Sequence, residues 1–548
     1  MSAATAQGPR NANAELEESS RVVRLLQRAD TYSEKTGSVG LIETHISWIF
    51  LTDYFAYKLK KPVRFDFLDF STAKLRREAC ENEVKLNRRL APGVYLGVVP
   101  VVVTARGQLG LDHHGTPVDW VVKMRRLPAG QALDVLIREE QVSPVAIERL
   151  AKRLSDFYDN VPPVTMTVEG YRGNIERHVI ANRDELAAGI HHLDLSEIRR
   201  VHSAQLRVLR LAPNMLDERV RNGRIIEGHG DLRPEHIYFT PSPLVIDCIE
   251  FSREFRTLDV VDELAFLDME CDFLGAEGLA APIFERYFEQ SGDSPPRQLI
   301  DFYRVYRACV RAKVSALRAE QLAGDARSRL LASASKYLDL AVRYSRTLAP
   351  PLLVLVHGLP GTGKSTIAQT IGEQLGFELL QTDVVRRSVF GPSSGQPGFN
   401  EGRYRPENRL RVYESMHEQA ASLLGNGASV VLDGTYLAAS LRHEAAELAK
   451  QHHAEILAVH CQCPDEIAGQ RINARARGGT SFSETRPEFF DRQRQAEEPD
   501  VRSLVVDTSS STVEPMPSVF EAIRKRCFDG GTCIDNCLRK ERPGINCR

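Results

Sequence analysis

The chain is 548 residues long, 42% hydrophobic and 26% charged, with a formal net charge of −2. That length exceeds what one hydrophobic core serves, so two domains with short extensions are expected, and the composition excludes disordered and fibrous classes. The near-neutral balance excludes a global positive field steering the protein to nucleic acid or to an anionic membrane, so any polyanion site must be local.

The opening segment MSAATAQGPRNANAELEE lacks the apolar core of a secretory signal, and no apolar run approaches the length of a bilayer span. A cytoplasmic location without a membrane partner is the resulting expectation. Residues 1–30 read as a mobile polar leader, to about Ser20, and an amphipathic helix containing Val22, Val23, Leu25 and Leu26. Cys80, Cys248, Cys271, Cys309, Cys461 and Cys463 read as isolated buried thiols rather than a disulfide framework. The terminal group Cys527, Cys533, Cys537 and Cys547 has spacings outside the common zinc patterns, leaving a soft-metal site and a plain cysteine-bearing tail both open.

From Thr31 to Ala349 apolar segments alternate with charged helical stretches, until SRTLAPP combines helix-ending prolines with a change of pattern. This predicts domains over 31–345 and 351–515, with 516–548 as a cysteine-bearing extension. In the first, His229-Gly-Asp231-Leu-Arg-Pro-Glu-His236 follows the apolar RIIEG and precedes IYF, and a strand LVID is predicted to end at Asp247. Two acids about one hairpin apart suit phosphoryl transfer, one directed at the acceptor and one at a metal.

This motif resembles the HGDLxxxN of aminoglycoside phosphotransferases and related choline and homoserine kinases, which share the bilobal protein kinase fold. The resemblance implies Asp231 as catalytic carboxylate, Asp247 as metal ligand and Asp262 as a structural aspartate. It implies Lys58 as the lysine on the α and β phosphates and Glu83 as its ion-pair partner, with Lys60 and Glu81 as close competitors and Lys123 as a further candidate. His236 stands where those kinases place an asparagine on the second metal, so altered metal use or a silent relative are alternatives; Mg²⁺ prefers oxygen over imidazole. SVGLIETHISW is the candidate for the loop over the phosphates.

Beyond the boundary, PLLVLVHG reads as a buried parallel strand feeding a glycine loop, and FELLQT, ASVVLD and AEILAVHC repeat that strand character between helices. A doubly wound α/β sheet is predicted. Gly358, Gly361, Thr362, Gly363, Lys364, Ser365 and Thr366 lie in a full GxxxxGK[ST] motif opening a helix that runs to Leu375. Backbone N–H groups freed by the glycines face phosphate oxygens, Lys364 reaches the β and γ phosphates, and the Ser365 hydroxyl ligates Mg²⁺. Asp383 and Arg386 are predicted to face the nucleotide from a strand's carboxyl end, Asp383 taking the acceptor proton and Arg386 binding phosphate; helix capping by Asp383 is the competing reading. Asp433 and Thr435 reach the same edge, where an acid commonly holds the Mg²⁺ shell, against a plain strand-ending turn. Arg471, Arg475 and Arg477 either close over the phosphates as a lid with GGTSFSETRP or form a solvated face.

HGLPGTGKST, TDVVRR and VVLDGTYL resemble the small-molecule kinases of the P-loop class (AAA-type), a group also similar to gluconate kinases and polynucleotide 5′-kinases. The chain as a whole is similar to a family of bacterial proteins that join the two kinase-like modules in this order. The resemblance implies an α+β, bilobal protein kinase-like unit followed by a P-loop NTPase unit, and two ATP- and Mg²⁺-dependent transfers to small hydroxylated acceptors; the overall charge does not favour a nucleic-acid partner. A regulatory NTPase and a 5′-hydroxyl polynucleotide kinase are the competing readings.

Overall fold

The computed structural model of the protein describes residues 9–65, 68–188, 193–391, 402, 405–478, 490–500 and 502–528. By packing, the chain divides into two compact units, neither of them one continuous segment: Met1–Thr167 with Arg219–Pro296, and Val168–Glu218 with Arg297–Arg548. Four helices that precede the motif boundary expected near 346–351, Val168–Leu186, Leu195–Leu211, Arg297–Glu320 and Gly324–Ser345, thus group with the P-loop sheet.

The first unit is built on an antiparallel six-stranded sheet. In spatial order its strands are Gly40–Glu43, Ser47–Leu51, Phe55–Lys60, Thr116–Arg125, Tyr95–Val103 and Leu109–Leu111. Its two faces follow the period-two alternation of a pleated strand. Phe50, Tyr57, Leu59, Val101 and Val121 pack on one side with Val22 and Leu26. Ala56, Val122 and Met124 pack on the other with Cys80 and Val84 of the helix Ala73–Asn87. That helix starts where the Thr72 side chain accepts the Leu75 N–H at 3.3 Å. It is tied to the sheet by the buried pair Arg76–Asp119 at 3.0 Å. The N-terminal helix spans Pro9–Leu26, so it begins well before the residue expected from its apolar stripe.

Below the sheet, two short hairpins flank the HGDL motif: Ile225–Glu227 pairs with Thr257–Asp259, and Ile237–Phe239 pairs with Pro243–Val245. The last strand stops two residues short of Asp247, where the sequence predicted its end. Sheet, the helix Ala73–Asn87 packed on it, paired hairpins and the buried helix Val260–Phe273 compose a bilobal protein kinase-like fold.

The second unit holds a five-stranded parallel sheet whose strands lie in the order Glu378–Gln381, Val430–Asp433, Leu352–His357, Glu455–Gln462, Leu504–Asp507. The four strands predicted here are present, with Leu504–Asp507 in addition. In the central strand Leu352, Val354 and Val356 enter one core while Leu353 and Leu355 enter the other, so both faces are covered as parallel sheets require. Helix Met516–Phe528 places Met516, Val519, Ile523 and Cys527 in the first of these cores, making the start of the cysteine-bearing extension part of the folded unit. Cys533, Cys537 and Cys547 lie outside the described residues, as does most of the expected lid segment GGTSFSETRP. Among the described residues no helix is long and apolar enough to cross a membrane.

Candidate functional site

Two constellations carry chemistry, one in each unit. In the P-loop unit the chain leaves the central strand at His357 and curls through Gly358, Gly361 and Gly363 at φ of 130°, 81° and 82°, a region closed to most side chains. Side chains are excluded sterically as well. A Cβ on Gly358 would lie 2.4 Å from the Cys461 carbonyl oxygen, and one on Gly361 would lie 2.6 Å from that of Ala468. The helix Lys364–Leu375 opens directly from this loop, so its unpaired N–H groups and positive dipole end face the concavity. Lys364 arches back to donate to the Leu359 carbonyl at 2.7 Å, and Thr362 donates to the same oxygen at 2.7 Å. Ser365 is half-buried at the helix start and Thr366 is exposed.

Parallel register brings the neighbouring strand ends to this loop: Asp433 lies opposite Val356 on one side and Gln381 on the other. Gln381 donates from Nε2 to Asp433 Oδ2 at 2.9 Å, a contact the sequence reading did not anticipate. Asp383 does not cap the helix Thr382–Phe390, whose cap position is Gln381; its carboxylate pairs instead with Arg386 one turn on. Burial, and then Asp433, push the Asp383 carboxyl above its ordinary range despite Arg386 and Lys364. Thr435 receives the Gly358 N–H on its carbonyl at 3.3 Å and faces Tyr413 Oη at 3.2 Å, so it braces the loop from behind. Arg471, on the helix Asp465–Gly478, donates to the Thr508 carbonyl at 2.6 Å and approaches the Gly361 carbonyl at 3.5 Å. It is therefore anchored on Thr508 beside the P-loop rather than on a solvated face. The side chains of Arg475 and Arg477 lie outside the described residues.

In the first unit, Ala56, Lys58 and Lys60 share the strand face that looks toward the helix Ala73–Asn87. Lys58 donates to Asp247 Oδ1 at 2.6 Å and lies 2.9 Å from Glu83 Oε1, so the expected partners meet. That second approach lacks hydrogen-bond alignment and counts as an ion pair by proximity. The competitors separate. Glu81 sits on the exposed helix face with Arg77 at 2.8 Å. Lys123, opposite Tyr57 in register, lies on the other side of the sheet over the Phe55 and Tyr57 rings at 4.5 and 5.5 Å. Lys60 is wholly buried and donates to Glu83 Oε2 at 2.7 Å and to Glu250.

Asp247 sits at φ 64°, an outlier for a residue with a side chain, of the kind that concentrates at functional sites. It is held there because its N–H donates to Tyr95 Oη at 3.1 Å and the next N–H, of Cys248, donates to Asn87 Oδ1 at 2.9 Å. Burial opposes its charge, yet Lys58 and then His236 hold the carboxyl far below the usual range. His236 spans the two acids: Nδ1 bonds the Asp231 carbonyl oxygen at 2.9 Å and Nε2 lies 3.6 Å from Asp247 Oδ2. Arg233 Nε lies 3.0 Å from Asp231 Oδ1.

The loop itself is fixed from below by Glu263, whose Oε1 accepts the N–H of His229 at 2.7 Å and of Gly230 at 2.6 Å. Glu263 thus braces the loop one residue after Asp262, the structural aspartate that the resemblance implied. SVGLIETHISW forms a hairpin whose strands Gly40–Glu43 and Ser47–Leu51 meet through a turn containing no glycine. The missed residues had faint signals: Glu250 stands three after Asp247, Arg233 two after Asp231, and Glu263 beside Asp262.

Among the described residues no group of three or more His, Cys, Asp or Glu side chains is arranged as a ready metal cluster. In each unit separately the donor types nonetheless suit a hard cation completed by substrate oxygens: a carboxylate at Asp247 in the first, and a carboxylate at Asp433 with a hydroxyl at Ser365 in the second.

Residues 353–499 match the model of the AAA domain family. Adenylyl-sulfate kinase of Geotalea uraniireducens is 28% identical over 207 residues, 36% of this chain and 92% of that protein. Among solved structures, a choline/ethanolamine kinase family protein from Mesorhizobium loti aligns over 60% of this chain and 99% of its own, at 13% identity and a TM-score of 0.37. A gluconokinase from Sinorhizobium meliloti aligns over 35% and 98%, at 18% identity and a TM-score of 0.25. Across most of the chain the similarity is to uncharacterized protein Rv2004c of Mycobacterium tuberculosis, 36% identical over 459 residues that make up 81% of this chain and 87% of that one. The chain belongs to the family of Rv2004c and joins a protein kinase-like unit to a P-loop AAA domain.

Proposed function

We propose that the P-loop unit transfers the γ-phosphoryl group of ATP to a hydroxyl of a small metabolite. The observation carrying this reading is the placement of Asp383 and Arg386 beside Asp433 at the strand ends that flank the P-loop. The loop N–H groups and Lys364 hold the phosphates, once Lys364 exchanges the Leu359 carbonyl for a phosphate oxygen. Asp383 takes the proton of the acceptor hydroxyl, and its raised basicity favours that role. Arg386 then meets the negative charge arriving on the acceptor. Mg²⁺ held through Ser365 and Asp433 would neutralise charge on the phosphates. Lys364→Ala in the full chain tests the reading: transfer from labelled ATP to the acceptor must disappear.

The kinase-like unit binds a second ATP through Lys58, with Asp247 as metal ligand and Asp231 as the carboxylate facing its own acceptor. His236 and the glycine-free turn between Glu43 and Ser47 favour a second reading of this unit alone, a nucleotide-binding module with slow or absent transfer. Product loss in Asp231→Asn separates the two.

A further inference from the structure

Glu83 is buried completely between two lysines, and its hydrogen bond comes from Lys60 rather than from Lys58. Lys60 is itself fully enclosed and also holds Glu250, three residues beyond Asp247 on the same loop. Lys58 directs its own hydrogen bond to Asp247, whose side chain is 44% exposed. The accessible and the enclosed lysine therefore divide the work. If Lys58 alone compensated Glu83, turning its ammonium toward a phosphate would strand a buried carboxylate, at a cost of several kcal/mol. Lys60 removes that cost, because Glu83 keeps a permanent cation whichever way Lys58 points. Through Glu250 the same ammonium pins the loop that carries Asp247.

We infer that Lys60 is a positioning residue: with Glu250 it forms a fixed counter-charge that frees Lys58 to exchange between Asp247 and a nucleotide phosphate. The inference rests on the reading of this unit as a nucleotide site. It is silent on whether that site transfers phosphate. Local charge balance makes it testable. Lys60→Met leaves Lys58 facing Glu83, Glu250 and Asp247 alone, so Lys58 is recruited inward and nucleotide affinity falls. Lys60→Met with Glu250→Gln removes one charge of each sign and restores the original net balance, yet it still leaves Glu83 with Lys58 as its only cation.

The experiment titrates a fluorescent ATP analogue with Mg²⁺ into full-length protein carrying Lys364→Ala, which silences the P-loop site. Lys58→Ala on that parent is expected to abolish binding, and Lys60→Met to weaken it by about tenfold or more. The paired variant is expected to stay within about threefold of Lys60→Met, because Glu83 still holds Lys58 inward. Unchanged affinity in Lys60→Met, or a folded paired variant that binds like the parent, overturns the inference. Should Lys60→Met fail to fold, the paired variant decides: binding about tenfold weaker than the parent supports the counter-charge role, and binding near the parent refutes it. A Lys364→Ala parent that binds no nucleotide is a different result, because it removes the nucleotide-site reading itself.

Discussion

The guanidinium of Arg207 donates to the carbonyl of Gly427 at 2.7 Å, joining a helix from the middle of the chain to the turn that leads into the strand bearing Asp433. The same side chain donates twice to the Ala349 carbonyl, at 3.1 and 3.0 Å, just before the central strand begins. Arg200 reaches the Gly425 carbonyl at 2.7 Å and Arg210 the Leu375 carbonyl at 3.1 Å, both at helix carboxyl ends where a cation complements the dipole. Leu211 of this helix enters the P-loop core.

The P-loop unit therefore depends on the helix Leu195–Leu211. Arg207→Ala leaves buried carbonyls without their donor and should cost roughly 3 kcal/mol of unfolding free energy in denaturant titration. A fragment beginning at residue 346 loses all three arginines and should be markedly less stable than the full chain. Equal stability of fragment and full chain would contradict this.

Two glycine replacements in the P-loop unit should have opposite effects. Gly361→Ala forces a side chain to φ 81° and against a backbone oxygen at 2.6 Å, so nucleotide binding at the P-loop should fall by more than tenfold. Gly469→Ala, in the helix Asp465–Gly478 with nothing within 4 Å of the added carbon, should be neutral or stabilise by up to ~1 kcal/mol. Isothermal titration and thermal melts read both.

Glu263 is expected to act through the backbone it holds. Glu263→Ala strands the buried N–H groups of His229 and Gly230 and should destabilise the kinase-like unit by about 2–4 kcal/mol. Glu263→Gln keeps an acceptor and should lose less. A thermal melt with equal losses in the two variants would argue against the hydrogen bonds as the cause.

Acid should weaken both units. Burial, with His236 beside His229 and His460 beside His357, lowers these two imidazoles to about 4, and burial alone outweighs a backbone bond in lowering His202 to about 4. The unfolded chain takes up protons first as pH falls, so stability is complete above about 6.5 and drains away toward about 4. Each site contributes at most about 3 kcal/mol. Denaturant midpoints measured between pH 7 and 4 should fall, and His202→Phe should flatten part of that slope.

The P-loop was legible because its chemistry is local: glycines, lysine and hydroxyl are contiguous and sit between a strand and a helix. Lys58, Glu83, Asp231 and Asp247 were legible only through resemblance, since the sheet, the helix Ala73–Asn87 and the hairpins bring them together across long separations. What escaped was decided by packing. Strand parity sends Lys123 to the wrong face and puts Lys60 on the right one, Glu263 takes the N–H groups of His229 and Gly230, and Asp383 chooses Arg386 over the helix end. The allegiance of Leu195–Leu211 is also a matter of surface, carried by arginines whose partners are carbonyls and therefore leave no mark in the sequence.

The central claim is that the chain holds two separate ATP-dependent transfer sites. Labelled ATP incubated with a cellular metabolite extract and wild type, Lys364→Ala or Asp231→Asn, with products separated by mass, tests it most directly. The account predicts two labelled products, one lost in each variant; release of free phosphate with no labelled acceptor would contradict it.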